Sequence, residues 1–307
     1  MISYSVQAVL ATLLERPVFR STFPPAGAPT ATLMAPSLLI LTDFFQAANG
    51  ALNYATNLAA PLGARLVLLH VRRDSTLDPE RFTGQVSNLN SEAISLAFSS
   101  LTSNLAVPIV AEVGHGEVTD AVADAVSRHH PTLIVLGRPD PSHTPEELFT
   151  TTSLDLLRAA PYPMLVVPHT VRAQQPPRRV LLAVDGQYFT LGEHARTMRQ
   201  LLATLHVELT ILHIADPQNP ASTLTTALES VLRTGLTVEL TTPIRTRSAV
   251  AAHPAEGILH AARPDEFDLV MIIARRRSFW GELFHRSVTA QVLLGSSGPV
   301  LVLPAED

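Results

Sequence analysis

The sequence contains no cysteine and few charged or aromatic residues. The absence of cysteine excludes disulfides, thiolate zinc sites and cysteine nucleophiles, and it is compatible with a reducing cytoplasm. Only 16% of the residues are charged and 46% are hydrophobic, which indicates a globular chain with a large buried core. The net charge of −5 provides no positive field that would attract nucleic acid or an anionic membrane.

Long apolar runs and known catalytic motifs are also missing. No segment has the roughly 18 continuous apolar residues that a membrane span needs. The apolar run near the N-terminus is not preceded by basic residues, and Glu15 and Arg16 interrupt it. This pattern is not typical of a signal peptide. No H-E-x-x-H, G-x-S-x-G or G-x-x-x-x-G-K-[ST] motif occurs. We therefore expect a soluble, cytoplasmic protein that binds no metal and is not an enzyme.

The first 36 residues show no regular periodicity. Residues 22–36 are rich in Pro, Ala and Thr, and the first strand-like pattern begins at Ser37. This composition predicts a flexible leader over 1–36. Met34 lies immediately before that strand, so one hypothesis is that it is the native start of the protein.

The rest of the chain contains a repeat of about half its length. Each half has five short runs rich in Val, Ile and Leu, in the same order, as expected for strands buried on both faces of a parallel sheet. The predicted pairs of strands are 37–44 with 178–186, 64–71 with 207–214, 107–113 with 236–242, 132–137 with 268–274, and 163–168 with 299–304.

Helical spacing lies between these runs. Apolar residues recur at three- and four-residue intervals over 51–59, 94–105, 195–205 and 224–232, and Gly235 is placed to end the last of these helices. Alternating strands and helices predict an α/β fold with two tandem doubly wound five-stranded parallel sheets, similar to a Rossmann fold. We place the domains at 37–168 and 179–307, joined by the proline-containing linker 169–178.

Local motifs within the repeat resemble the universal stress protein family. In the first half they are LTDF (41–44), LLHV (68–71), the run 114–137 and APYPMLVVP (160–168); in the second they are AVDG (183–186), ILHI (211–214) and SSGPVLVLP (296–304). The resemblance implies an adenine nucleotide alpha hydrolase-like fold. It also implies a phosphate loop of the form G-x2-G-x9-G-[ST] after the fourth strand of each half.

The first half keeps the spacing of that loop and loses two of its glycines. Gly137 stands at the first glycine, Asp140 at the second, and Thr150 and Thr151 at the third glycine and its hydroxyl neighbour. Glycine lets the backbone approach a phosphate, and a carboxylate at Asp140 repels one. We therefore expect binding of ATP or another adenine nucleotide to be weakened here, and no cofactor is certain.

The second half departs further from the family's loop. Ala274 replaces the first glycine, the loop is one residue shorter, and Ser287 alone keeps its matching position as the final hydroxyl. Four arginines, Arg275, Arg276, Arg277 and Arg286, are candidates for binding an anion through side chains; the alternative is a solvated basic turn.

Four further residues match family positions near a nucleotide. Asp43 and Asp185 follow the first strands, where an aspartate also serves as a helix cap or turn former. Val71 and Ile214 match the position whose backbone contacts adenine, and they are equally suited to a core. His70 and His213, each near the end of a buried strand, are interpreted as structural.

These features predict a tandem stress-response protein that acts as a binding or signalling module. The alternative is a sensor of adenine nucleotides or small anions. It would use the ligand crevice of the first half or the arginine-containing loop of the second half. A weak ATPase is a third possibility. Because the fifth strands, 163–168 and 299–304, are apolar and bounded by prolines, we expect them to pair antiparallel and form an intramolecular pseudo-dimer. Further self-association and binding of unknown protein partners stay possible. We expect no binding to nucleic acid or membranes.

Overall fold

A computed structural model gives the fold of the chain. It describes residues 36–42, 46–72, 105, 107–140, 146–159, 161–172, 174–215, 223–275 and 287–306, without the side chains of 46–49 and 146–151. The predicted leader, apart from Pro36, and nearly all of the predicted helix at 94–105 lie outside these residues.

Strands and helices alternate through both halves. The described elements of the first half are β1 (Ser37–Leu41), α1 (Gln46–Leu62), β2 (Arg65–Arg72), β3 (Ile109–His115), α2 (Val118–His129), β4 (Leu133–Arg138), α3 (Glu146–Ala159) and β5 (Met164–Pro168). Those of the second are β6 (Arg179–Val184), α4 (His194–Thr204), β7 (Glu208–Ala215), α5 (Leu224–Arg233), β8 (Arg245–Val250), α6 (Pro254–Ala261), β9 (Leu269–Arg275), α7 (Val288–Gly295) and β10 (Val300–Ala305). None of the described helices is long and apolar enough to cross a membrane.

The ten described strands form one continuous sheet. Their order is β3-β2-β1-β4-β5-β10-β9-β6-β7-β8, so each half contributes five parallel strands in the doubly wound arrangement. The second half repeats this pattern around β6 and β9. The predicted α/β class, with two parallel five-stranded units, is confirmed.

The two halves meet where β5 and β10 pair antiparallel. The register places Val166 opposite Val300, Leu165 opposite Leu301, and Met164 opposite Val302. All six side chains are almost fully buried, because helices cover both faces of the sheet at this seam. The predicted pairing of the fifth strands within one chain is confirmed.

One predicted strand is wrong. The stretch 236–242 forms turns after α5, with Val238 73% exposed, and the strand that joins the sheet is β8. β8 is an edge strand with the sequence RTRSAV, so it carries polar side chains that a buried strand would exclude. Gly235 does end α5 as predicted: its φ of 71° is left-handed, and its N–H donates to the Leu232 carbonyl.

Two apolar layers sandwich the sheet. On one face α1 buries Ala51, Leu52, Ala55 and Leu58, as their helical spacing predicts, and α4 and α5 lie in the same layer. On the other face α2, α3, α6 and α7 cover the strands. Because β1 pairs with β4 and β6 pairs with β9, both in parallel, the carboxyl ends of each pair lie side by side in the middle of each half.

Candidate functional site

The candidate site of the second half lies where β6 and β9 end side by side. These neighbouring strands continue into connections on opposite sides, which makes their carboxyl ends the switch point of this half. Ligands of doubly wound sheets bind in the crevice outside such a point. Asp185 follows β6 and Arg275 ends β9, so both lie at its mouth.

A short loop after β6 is shaped by Asp185. Its Oδ1 accepts a hydrogen bond from the Gln187 N–H at 3.0 Å, and Gly186 between them has a φ of 80°. This is the local bond by which aspartate forms turns, and glycine adopts the left-handed conformation without strain. The expectation that Asp185 acts as a turn former matches this geometry.

Arg275 spans the crevice to that loop. Its Nε donates to Asp185 Oδ2 at 3.0 Å and its Nη2 to Oδ1 at 2.9 Å, forming a bidentate pair. The same guanidinium donates to the backbone carbonyls of Gln187, at 2.9 Å, and Tyr188, at 3.0 Å. Two residues separately predicted to face a ligand are therefore bound to each other.

The burial of this ion pair is unequal. The Arg275 side chain is 11% exposed and that of Asp185 is 50% exposed. The guanidinium also lies 5.8 Å from the centre of the buried Phe189 ring. A bidentate pair with a largely buried arginine is more strongly held than a surface ion pair, because both partners are fixed in one geometry. The arrangement locks the loop against the end of β9.

Tyr188 belongs to this loop, and its ring is exposed to solvent. Its side chain is 54% exposed, and the Arg233 guanidinium lies 4.3 Å from the ring centre. This contact has cation–π geometry. No sequence pattern indicates this contact, because Tyr188 and Arg233 are brought together only by the packing of α5 beside the loop.

The first half uses its equivalent arginine differently. Arg138 ends β4 directly after Gly137, as Arg275 ends β9 after Ala274. Its Nη2 donates to the Ser296 carbonyl at 2.6 Å, and its Nη1 donates to the Leu293 carbonyl. Both carbonyls belong to the last turn of α7 or follow it, so the arginine compensates the negative end of a helix in the other half.

Asp140 lies near His169 in the first half. Asp140 Oδ2 is 3.6 Å from His169 Nε2, and the Asp140 side chain is 42% exposed. Gly137 pairs with Val167 inside the sheet. Thr150 and Thr151 lie within the helix α3, not in a loop, and their side chains lie outside the described residues, as do Asp43, Arg276, Arg277 and Arg286. The geometry of the first phosphate loop therefore stays a prediction.

The remaining family-matched residues have contacts within the fold. Ser287 caps α7: its Oγ accepts a hydrogen bond from the Ala290 N–H at 3.1 Å. Ala274 is fully buried in β9. Val71 and Ile214 are partly buried against the helical layer that α2 and α6 share. None of these contacts tests a nucleotide-binding role.

Two equivalent histidines fix the ends of the first strands. The Nδ1 atoms of His70 and His213 lie 3.0 and 3.3 Å from the carbonyl oxygens of Thr42 and Val184, respectively. Both residues are buried, and an Nδ1–H that donates to the carbonyl gives this ring nitrogen a hydrogen-bond partner. This supports the structural role predicted for both. Within the described part of the chain, no group of three or more His, Asp and Glu side chains could hold a metal ion.

The chain matches the family model "Universal stress protein family" twice, over residues 34–168 and 177–304. No curated protein matches it. Among solved structures, a universal stress protein from Archaeoglobus fulgidus is 16% identical, with a TM-score of 0.66, over 88% of this chain and 99% of that one. A putative universal stress protein from Pseudomonas aeruginosa is 18% identical, with a TM-score of 0.51, over 89% of this chain and 94% of that one.

These structures share the fold at low identity, and the two family matches cover most of the chain. Each match contains one five-stranded unit, one switch point and one arginine at the end of its fourth strand. The chain belongs to the universal stress protein family, of which it contains two domains in tandem.

Proposed function

We propose that this protein is a stress-response binding and signalling module, not an enzyme, whose second crevice is closed to nucleotide by its own side chains. The observation that carries the proposal is the four-bond anchor of Arg275 on Asp185, Gln187 and Tyr188. A nucleotide phosphate at the end of β9 must displace this guanidinium or approach the buried Cβ of Ala274. Asp185 would then face the phosphate without its partner.

The first half retains whatever nucleotide affinity the protein has. Gly137 keeps a position where a backbone can approach a phosphate, and the charge of Asp140 weakens that approach. We therefore expect weak or absent binding of ATP, ADP and AMP to the full chain, with the first half as the tighter site.

The alternative function is a sensor of a nucleotide or small anion. Of the four arginines predicted to bind an anion, Arg275 is the one within the described residues, and it binds Asp185. An anion would compete with that carboxylate and with two backbone carbonyls. This favours the first crevice over Arg275 as the place where a sensor would bind its ligand.

Equilibrium binding of ATP to the full chain tests the proposal. Replacing Asp140 and Thr150 by glycine should increase affinity about tenfold or more, because it removes the carboxylate of Asp140 and restores both glycines of the family's loop. Ala274→Gly is the matched control in the second half: it restores a glycine without releasing Arg275, so it should leave affinity unchanged. Tighter binding by Ala274→Gly alone would contradict the proposal.

Turnover provides a second readout. Since the sequence contains no H-E-x-x-H, G-x-S-x-G or G-x-x-x-x-G-K-[ST] motif, we expect no ATP hydrolysis above that of buffer for the wild type or the double-glycine variant. Hydrolysis that saturates with ATP and is lost in a crevice variant would replace the binding role by an ATPase role.

A further inference from the structure

A separate cleft lies between α1 and the segment that joins the two halves. It has a volume of about 380 Å³. One wall is a single face of α1, and the other is the chain that follows β5. The lining residues are Gly50, Asn53, Thr56, Asn57, Val171, Arg172 and Gln174. None of them belongs to the family-matched crevice, so this linker cleft is independent of the proposed function.

Gly50 leaves room in this cleft. Apart from its own helix and chain neighbours, no heavy atom of the described residues lies within 4 Å of the position that a Cβ would occupy. A glycine inside a helix is less favourable than alanine, and none of the described neighbours requires its small size. Space left open beside a helix is what a ligand-binding cavity requires and what a packed helix surface would fill.

The lining groups have a consistent chemistry. Arg172 supplies a positive charge, and Asn53 and Gln174 supply exposed amides that donate and accept hydrogen bonds. The Thr56 hydroxyl donates to the Leu52 carbonyl at 2.8 Å, so its oxygen is left to accept. The described lining contains no carboxylate. A cleft with one cation, several amides and no negative charge favours an oxyanion that also carries hydroxyl groups.

The volume sets the size of the ligand. Small-molecule pockets are typically about 300 to 1,000 Å³, so the linker cleft is at the lower end of the range. We propose that it binds a small hydroxylated molecule with a carboxylate or phosphate group. Arg172 would pair with that anionic group, and the amides of α1 and the linker would orient the molecule. Because one wall is the linker, the bound molecule would contact the connection between the two halves.

Titration of the full chain with two hydroxylated acids tests this proposal. Glycerol 3-phosphate and malate are the probes, uncharged glycerol is the control, and the side-chain amide signals of Asn and Gln in a nitrogen–proton NMR spectrum are the readout. At least one acid should give saturable shifts at millimolar concentration, and glycerol should give none. The acid that binds more tightly identifies the anionic group. Saturation by neither acid, or an equal response to glycerol, overturns the proposal.

Two arginine variants locate the charge. Arg172→Gln should weaken binding of the acid about tenfold or more, since it removes a charge-assisted bond. Arg178→Gln is the matched control, because Arg178 is an exposed arginine of the same linker and does not line the cleft. Equal weakening by both variants would mean general attraction to a basic linker, and the cleft would not be the site.

Gly50 variants separate binding from folding. Gly50→Leu should abolish saturable shifts because its side chain fills the cleft, while the folded spectrum persists. Gly50→Ala, which adds one methyl group to open space, should unfold at an equal or higher temperature and bind more weakly. Full affinity in Gly50→Leu, or in Gly50→Ala if the leucine variant does not fold, would show that the acid binds elsewhere.

Discussion

Arg138 and Arg275 end equivalent strands, yet their guanidinium groups bind different partners. Arg275 stays within its own half and closes the loop after β6, whereas Arg138 donates across the seam to carbonyls at the end of α7. The same residue at the same point of the repeat therefore serves a crevice in one half and the interface in the other.

The seam itself should carry the largest effect on stability. Leu301 is 1% exposed and pairs with Leu165 across the two halves, so Leu301→Ala should lower the free energy of unfolding by about 2 to 5 kcal/mol. Chemical denaturation measures it. Val250→Ala, at a 72% exposed position of the edge strand β8, should change stability by less than about 0.5 kcal/mol. Equal effects would mean that the halves do not depend on their shared sheet.

Loss of the crevice arginine, Arg275, should have the second-largest effect on the free energy of unfolding. Arg275→Gln removes a bidentate pair and two bonds to carbonyls, and should cost about 1 to 3 kcal/mol by the same measurement. Arg263→Gln is the control, because its pair with Asp265 is exposed on both sides, at 58% and 63%. A cost no larger than that of Arg263→Gln would show that the second crevice is not locked.

The arginine of the first half should matter somewhat less. Arg138→Gln removes a positive charge and two donors from the end of α7, which should cost about 1 to 2 kcal/mol. Hydrogen exchange should show faster opening of α7, in the second half, although the substitution lies in the first. Faster exchange confined to residues 107–140 would contradict the contact across the seam.

Acid should weaken both halves through one carboxylate in each. Burial alone would raise the pKa of Asp268, but hydrogen bonds from Arg179 and from two backbone N–H groups outweigh it and lower this pKa below its ordinary 3.8. Burial likewise raises the pKa of Glu112, and bonds to Arg128 and His129 lower it overall. A lowered folded-state pKa means that each carboxylate stabilises the fold above its ordinary pKa and loses that effect as pH falls through the lowered value.

The pH dependence of the free energy of unfolding below about pH 5 tests the role of these two carboxylates. Asp268→Asn should flatten the loss of stability with acid by under about 1 kcal/mol, since the group is partly exposed to solvent. Glu112→Gln should do the same for the first half. If the stability of Asp268→Asn falls with pH as steeply as that of the wild type, Asp268 does not contribute to the loss of stability in acid.

Sequence patterns were most informative where burial is complete. The central strands and the β5–β10 seam are apolar throughout, so periodicity and the repeat predicted them. The edge strand β8 was missed because its solvent-facing residues, such as Arg245, break the apolar pattern, and 236–242 imitated a strand next to it. An edge position relaxes the demand for apolar residues on which the prediction depended.

The pairing of Asp185 with Arg275 was harder to predict from the sequence. Asp185 is predicted to lie near a nucleotide because its position matches the family's site, and Arg275 is predicted to bind an anion because of its side-chain charge. Their contact depends on β6 and β9 being neighbours, and that adjacency follows from the doubly wound order. An acidic residue after the first strand and an arginine at the end of the fourth are the signal that could have indicated it. Arg138 had the same signal, but its partners in α7 depend on how the halves pack.

Photo-cross-linking with an azido-adenine analogue of ATP distinguishes a second crevice that is closed to nucleotide from one that is open. The wild-type chain is labelled, digested and mapped by mass spectrometry, with unlabelled ATP as competitor. We expect that any label lost on competition lies within residues 36–168, and that peptides containing Asp185, Ile214 or Arg275 carry none. Label on those peptides that ATP competes away would show that the second crevice is open to nucleotide and that Arg275 does not close it.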